Sequence, residues 1–122
     1  MKNEKWGTNV ENAIETKSFE FAIKIVNSTR RMARKDEYAL TNQLLRSGTS
    51  IGANVSEAQF AQSKRDFASK MAIALKEANE TKYWIRLLKE VDNISPEETK
   101  ELLFRLDEII RLLISIVKSA KE

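Results

Sequence analysis

Seven residues, Phe67, Met71, Ala74, Ala78, Thr81, Ile85 and Leu88, recur at alternating steps of four and three. That spacing returns every side chain to one stripe of an α-helix, whereas a strand would send alternate residues to opposite faces. A stripe of this kind needs other helices to cover it, as in the seam of a bundle. Leu75, Trp84 and Val91 widen it. We therefore expect a helix over residues 64–92, with Ser63 as N-cap and Asp66 three positions later.

Three further segments carry the same period. Over residues 17–35, Phe21, Ile25 and Met32, flanked by Ala22, Val26 and Ala33, form one buried face. A second helix is expected over 37–61. The fourth, 96–120, opens on "SPEE": Ser95 can cap, Pro96 suits the first helical position, and Glu98 can complete a capping box. Its seam is Leu102, Leu106, Ile109, Leu113, Ile116 and Ala120. Residues 1–16 show no clear period and read as a flexible N-terminal arm, in which Trp6 is either a tail residue or a partner anchor. The connections "QS" and "DNI" are short, so successive helices should be antiparallel neighbours. The fold class expected is all-α, an antiparallel up-down-up-down four-helix bundle in one domain.

Composition narrows function more than fold. The 122 residues include no cysteine and no histidine. Disulfides, thiolate zinc sites and thiol nucleophiles are thereby excluded, and the commonest general base near neutral pH is missing. No catalytic residue, cofactor, metal or small-molecule substrate is expected. A net charge of +3 is compatible with a nucleic-acid partner without indicating one. The polar N-terminus lacks a signal-peptide run, and "IIRLLISIV" (109–117) is too short and interrupted to span a bilayer, so a cytoplasmic protein with no membrane partner is expected.

The stretch "LLRSGTSIGANVSEA" (44–58) has the composition of a loop, yet Leu44, Ile51, Val55 and Ala58 keep helical spacing. A phosphate-binding loop would need lysine and serine or threonine after its last glycine; Gly52 is followed by Ala53 and Asn54. In a helix, Gly48 and Gly52 lie on one face, each costing about 1 kcal/mol relative to alanine. Either a neighbouring helix packs closely on that face, or the helix kinks near Gly48. In the fourth helix, Ile109, Ile110, Leu112, Leu113, Ile114, Ile116 and Val117 cover an arc of roughly 200°, wider than one bundle needs. Self-association would cover the surplus, as would a bundle with thick flanks.

"QLLRSGTSIGANVSEA" resembles the arginine-serine-x-x-serine-isoleucine-x-x-asparagine-x-x-glutamate signature of bacterial four-helix-bundle proteins encoded in intervening sequences of 23S rRNA genes. Arg46, Ser47, Ser50, Ile51, Asn54 and Glu57 match it. "SKRDFASKMAIALKEANETKYWIRLL" resembles that family's third helix, with Ile73, Ala74 and Glu80 in place, and with "SFEFAIKIV" the likeness covers residues 18–120. Lys76 and Glu77 stand where the family often has glycine-serine, and Ala58 where it often has glycine. The resemblance implies a ring-like homopentamer without known catalysis, associated with RNA or DNA. Alternatives are an assembly scaffold without nucleic-acid binding, or a protein like the accessory bundle of diversity-generating retroelements, which is similar in fold and charge.

Asn54 and Glu57, three residues apart beside apolar neighbours, are candidates for a structural polar cluster, with Arg46 or a lysine as partner. Glu57 and Glu80 as paired carboxylates for acid-base or metal work is the competing reading, weakened by the absent histidines. Candidate nucleic-acid contacts are Arg30, Arg31, Arg34 and Lys35 at the end of the first helix, and Lys64, Arg65 and Lys70 near the opposite pole. The first group also suits the negative end of a helix dipole and faces Asp36, Glu37, Glu90, Asp92, Glu97, Glu98 and Glu101. Trp84 and Tyr83 can stack on bases, although Trp84 also suits core or interface packing.

Overall fold

The computed structural model describes residues 9–32 and 37–121. Among these residues the chain forms four α-helices and no strand: α1 (Asn9–Arg31), α2 (Tyr38–Ala58), α3 (Lys64–Glu90) and α4 (Pro96–Lys121). All seven residues of the α3 seam are buried. On α4 the expected seam is buried from Leu102 to Ile116, Ala120 is half-buried, and Thr99 and Val117 join it. The helices form a cycle of neighbours, α2 packing on α1 and α3, and α4 on α3 and α1. No helix among the described residues is long and apolar enough to cross a membrane.

α1 differs from its expected span. It begins at Asn9 rather than residue 17, and Ile14 is fully buried, so 9–16 is helix and not arm. The apolar period of α1 is interrupted by serine at two buried positions, Ser18 between Ile14 and Phe21 and Ser28 after Ile25. Trp6, Arg34 and Lys35 lie outside the described residues.

α2 runs unbroken through both glycines. A Cβ on Gly48 would stand 2.9 Å from both Cγ1 and Cγ2 of Ile25, and one on Gly52 would stand 3.2 Å from the Ser18 carbonyl oxygen. Both glycines therefore face α1, Gly48 at a distance that a Cβ could take only if Ile25 shifted and Gly52 at a tight contact with the α1 backbone. Dispersion attraction along that close approach offsets the helix propensity lost.

The ends are tied by local chemistry. Ser63 Oγ accepts from Asp66 N–H at 3.0 Å, and Ser95 Oγ from Glu98 N–H at 3.1 Å. The Glu98 carboxylate does not close the expected box; it accepts Arg31 Nη2 at 2.9 Å. α3 ends with Asp92 in the left-handed region (φ 59°). Asn93 N–H then reaches Leu88 O at 2.9 Å and Asp92 N–H reaches Lys89 O at 3.0 Å, the paired bonds of a Schellman turn.

The approach of α2 to α1 yields a direct test. Gly48→Ala should lower stability by about 1–2 kcal/mol in urea denaturation, because overpacking against a branched, fully buried side chain outweighs the propensity gain. In an Ile25→Ala background the same substitution should cost less, and strict additivity would show that the two sites do not touch.

Candidate functional site

The sequence signature resolves into two parts with different surroundings. Its small polar residues satisfy themselves within α2. Ser47 Oγ donates to Leu44 O at 3.4 Å, Ser50 Oγ to Arg46 O at 2.7 Å, and Asn54 Nδ2 to Ser50 O at 2.9 Å. Thr49 does the same toward Leu45 O at 2.8 Å. Hydroxyls bonded back to the preceding turn let polar side chains sit at a tight interface without an outside partner. Nothing in this row is aimed at a ligand.

The charged part crosses to α3. Arg46 Nε donates to Gln43 Oε1 at 3.0 Å and Nη1 to Glu77 Oε2 at 3.2 Å, while Nη2 bonds Glu80 Oε2. Trp84 Nε1 donates to that same Glu80 oxygen at 2.9 Å. A guanidinium is suited to this bridge because its fixed fork reaches two carboxylates at once. Trp84 is half-buried and meets Tyr83 edge-on, with ring centroids 5.0 Å apart.

This arrangement corrects the pairing of Glu57 with Glu80. Glu57 is exposed and lies eleven residues beyond Arg46 on α2, about 16 Å along the axis, whereas Glu80 is held beside Arg46. Arg46 serves Glu77 and Glu80 rather than Glu57 or Asn54. Among the described residues no group of three or more acidic side chains is placed to hold a metal ion. Glu77 was outside the expected cluster; its one signal is its place three residues before Glu80, on the same helical face.

The family model for 23S rRNA-intervening sequence protein matches residues 11–115. The chain belongs to that family. Among solved structures, it is similar to a protein of unknown function from the S23 ribosomal protein family of Bacteroides thetaiotaomicron, at 46% identity and a TM-score of 0.84, over 89% of this chain and 98% of that one. No curated protein matches.

In this 23S rRNA-intervening sequence protein, the charges beyond the Arg46 bridge sort by position. Lys17, Lys24 and Arg31, seven residues apart on α1, pair with Glu108 (3.3 Å), Glu101 (2.9 Å) and Glu98 (2.9 Å) on α4. The Lys24 ammonium, by hydrogen bond and charge, holds the Glu101 carboxyl below its ordinary value, and Arg105 adds to the effect. Of the expected nucleic-acid contacts, Arg31 is thus occupied by Glu98, Arg30 is exposed, Lys64 and Arg65 are exposed at the start of α3, and Lys70 is half-buried. Apart from Arg65, the basic residues gathered by position are others. Lys100, Phe104, Arg111 and Lys118 on α4, spaced four, seven and seven, fall within about 40° of one another and opposite the seam. Arg65, Lys76 and Tyr83 fall within about 20° on the outer face of α3, with Arg86 beside them. All eight are exposed. The signal was available in the seven-residue spacing, read on the face away from the seam.

The Arg46 bridge should act as a unit. Arg46→Ala should lower stability by about 1 kcal/mol, and Arg46→Lys should restore less than half of that loss, since one ammonium cannot span both carboxylates. In an Arg46→Ala background, Glu80→Gln should add little, and chemical denaturation of the four-member cycle measures the coupling.

Proposed function

We propose that this protein is a non-enzymatic four-helix bundle, antiparallel in up-down-up-down order, that assembles as a homopentamer in the cytoplasm and associates with RNA or DNA. The helix order is supported by pairings that run in opposite directions. Rising numbers on α1 meet falling numbers on α4 in the three ion pairs, and Ile25 and Ser18 meet Gly48 and Gly52 on α2. Thr41 meets Asn93 while Arg46 meets Glu80 across α2 and α3.

One observation carries the nucleic-acid reading. Among the described residues, interhelical ion pairs consume Glu77, Glu80, Glu98, Glu101, Asp107 and Glu108, whereas Arg65, Lys76, Arg86, Lys100, Arg111 and Lys118 have no acidic partner. A near-neutral chain thereby presents a basic outer face on α3 and α4, closed at one end by Glu90 and Glu97. Such a face favours polyanions by counterion release. The family's name, which attaches it to 23S rRNA, and the neighbour's place in a ribosomal protein family agree with it.

Self-association rests on apolar side chains left outside the bundle. The wide arc of α4 is largely absorbed: Ile109, Leu113, Ile116 and Val117 are buried and Ile110 and Leu112 half-buried, leaving Ile114 exposed at 51%. Phe19 and Ile23, one turn apart on α1, add a second exposed apolar pair. These favour the scaffold reading as well, in which the basic residues serve solubility alone.

Titration of labelled RNA and DNA at several salt concentrations separates the two. A nucleic-acid protein should bind at low salt and lose affinity with a log–log slope of about 0.7–0.9 per phosphate neutralised; no binding at low salt leaves the scaffold reading. Light scattering should give about 70 kDa, five copies of the 14.0 kDa chain, and a monomer would overturn the ring.

A further inference from the structure

Two exposed aromatic rings stand on the basic face, near its end at Arg86 and Lys100. The Lys82–Asp107 ion pair, 3.1 Å long, pins the register of α3 against α4. Tyr83 follows Lys82 directly, and Phe104 lies one turn from Asp107, so both rings sit at the level of that pair. Each points away from its own seam, and their helices are adjacent, with axes about 8–10 Å apart. Phe104 is 74% exposed and Tyr83 57%. Among the described residues, Phe104 is the most exposed of the large apolar side chains. Leaving it in water forgoes roughly 2 kcal/mol of burial. Of its neighbours one turn away, Glu101, Asp107 and Glu108 are paired with Lys24, Lys82 and Lys17. Among the described residues, the charges without an acidic partner near the ring are therefore Lys100 and Arg111, and ring and cations together suit a ligand that has both an aromatic face and negative charge.

We infer that the outer face of α3 and α4 binds single-stranded nucleic acid, with bases stacking on Phe104 and Tyr83 and the backbone running along Lys76, Arg86, Lys100 and Arg111. The inference rests on the nucleic-acid reading above and adds the site and the strand state. A duplex hides its base faces and offers phosphate alone, whereas an unpaired strand offers both, and stacking accepts every base. The basic residues continue on both sides of the rings: Arg65 to Arg86 spans about 32 Å along α3, and Lys100 to Lys118 about 27 Å along α4. Both rings lie near one end of this track, Tyr83 about 4.5 Å along the axis from Arg86 and Phe104 about 6 Å from Lys100.

Fluorescence anisotropy with unstructured RNA, unstructured DNA, and the corresponding duplexes tests this, with anionic vesicles as a further arm. The full-length protein should prefer the single strands, and the RNA and DNA arms name which source binds more tightly. Phe104→Ala and Tyr83→Ala should each weaken single-strand binding about tenfold, without changing the salt slope, the duplex affinity or the mass by light scattering. Tyr83→Phe, which keeps the ring, should bind as the parent does. Equal binding of single strand and duplex, unaltered in both alanine variants, overturns the stacking site while the nucleic-acid reading stands. Loss of assembly mass in Phe104→Ala makes that ring a subunit contact and overturns the site. Binding to no oligonucleotide at low salt, with or without binding to vesicles, removes both readings.

Discussion

The distance between α1 and α2 is the constraint from which the other placements follow. Gly48 admits both Cγ atoms of Ile25, and Gly52 admits the backbone of Ser18 itself. A helix brought this close cannot carry large side chains on its facing strip, so α2 is built from serine, threonine, glycine and alanine where the other helices use leucine and isoleucine. Buried Ser47 bonds back to a carbonyl of its own helix, as do Ser50 and Asn54 on the flank toward Arg46. With α2 set against α1, its opposite flank presents Arg46 to α3, where Glu77, Glu80 and Trp84 receive it. The signature that looks like a loop is thus one helix serving two neighbours.

How far residues alone reveal this depends on whether one physical effect dominates at each position. In α3 apolar burial dominates everywhere, and the expected seam is the buried set residue for residue. In α1 two buried positions hold serine, one of them Ser18, against which Gly52 of α2 packs; the apolar period is interrupted and the helix start is misplaced by eight residues. Phe104 shows the opposite failure: a large apolar side chain on the polar face is invisible to a search for the seam. The candidate site divides the same way. The paired use of Arg46 and Glu80 could not be read from chain positions 34 residues apart. The repeat of Lys17, Lys24 and Arg31 could, since seven-residue spacing marks one face of a helix.

Charge follows a similar division. Acidic residues on α4 that flank the seam are spent on α1 and α3, at Glu98, Glu101, Asp107 and Glu108. These pairs are exposed enough that each contributes little to stability. Their larger effect is on what remains: Asp107 lies within the outward stripe of α4 but is paired with Lys82, so among the described residues Lys100, Arg111 and Lys118 are the charges there without an acidic partner, although the helix as a whole is nearly balanced. Net charge therefore understates the field on that face, and +3 is a poor guide to what the surface attracts.

Assembly would change the weight of such a face more than its chemistry. A stripe with six cations and two rings would bind a short unpaired strand only weakly by itself, because the strand loses conformational freedom on docking. In a closed ring every copy repeats the stripe at a fixed angle, and a strand held by one copy meets the next at high effective concentration. Of the apolar residues outside the bundle, Phe19 and Ile23 lie on α1, whereas Ile114 lies on α4 one turn from Lys118 and within about 40° of it. Self-association through Phe19 and Ile23 would leave the basic stripe open, whereas a contact through Ile114 would share its surface with Lys118.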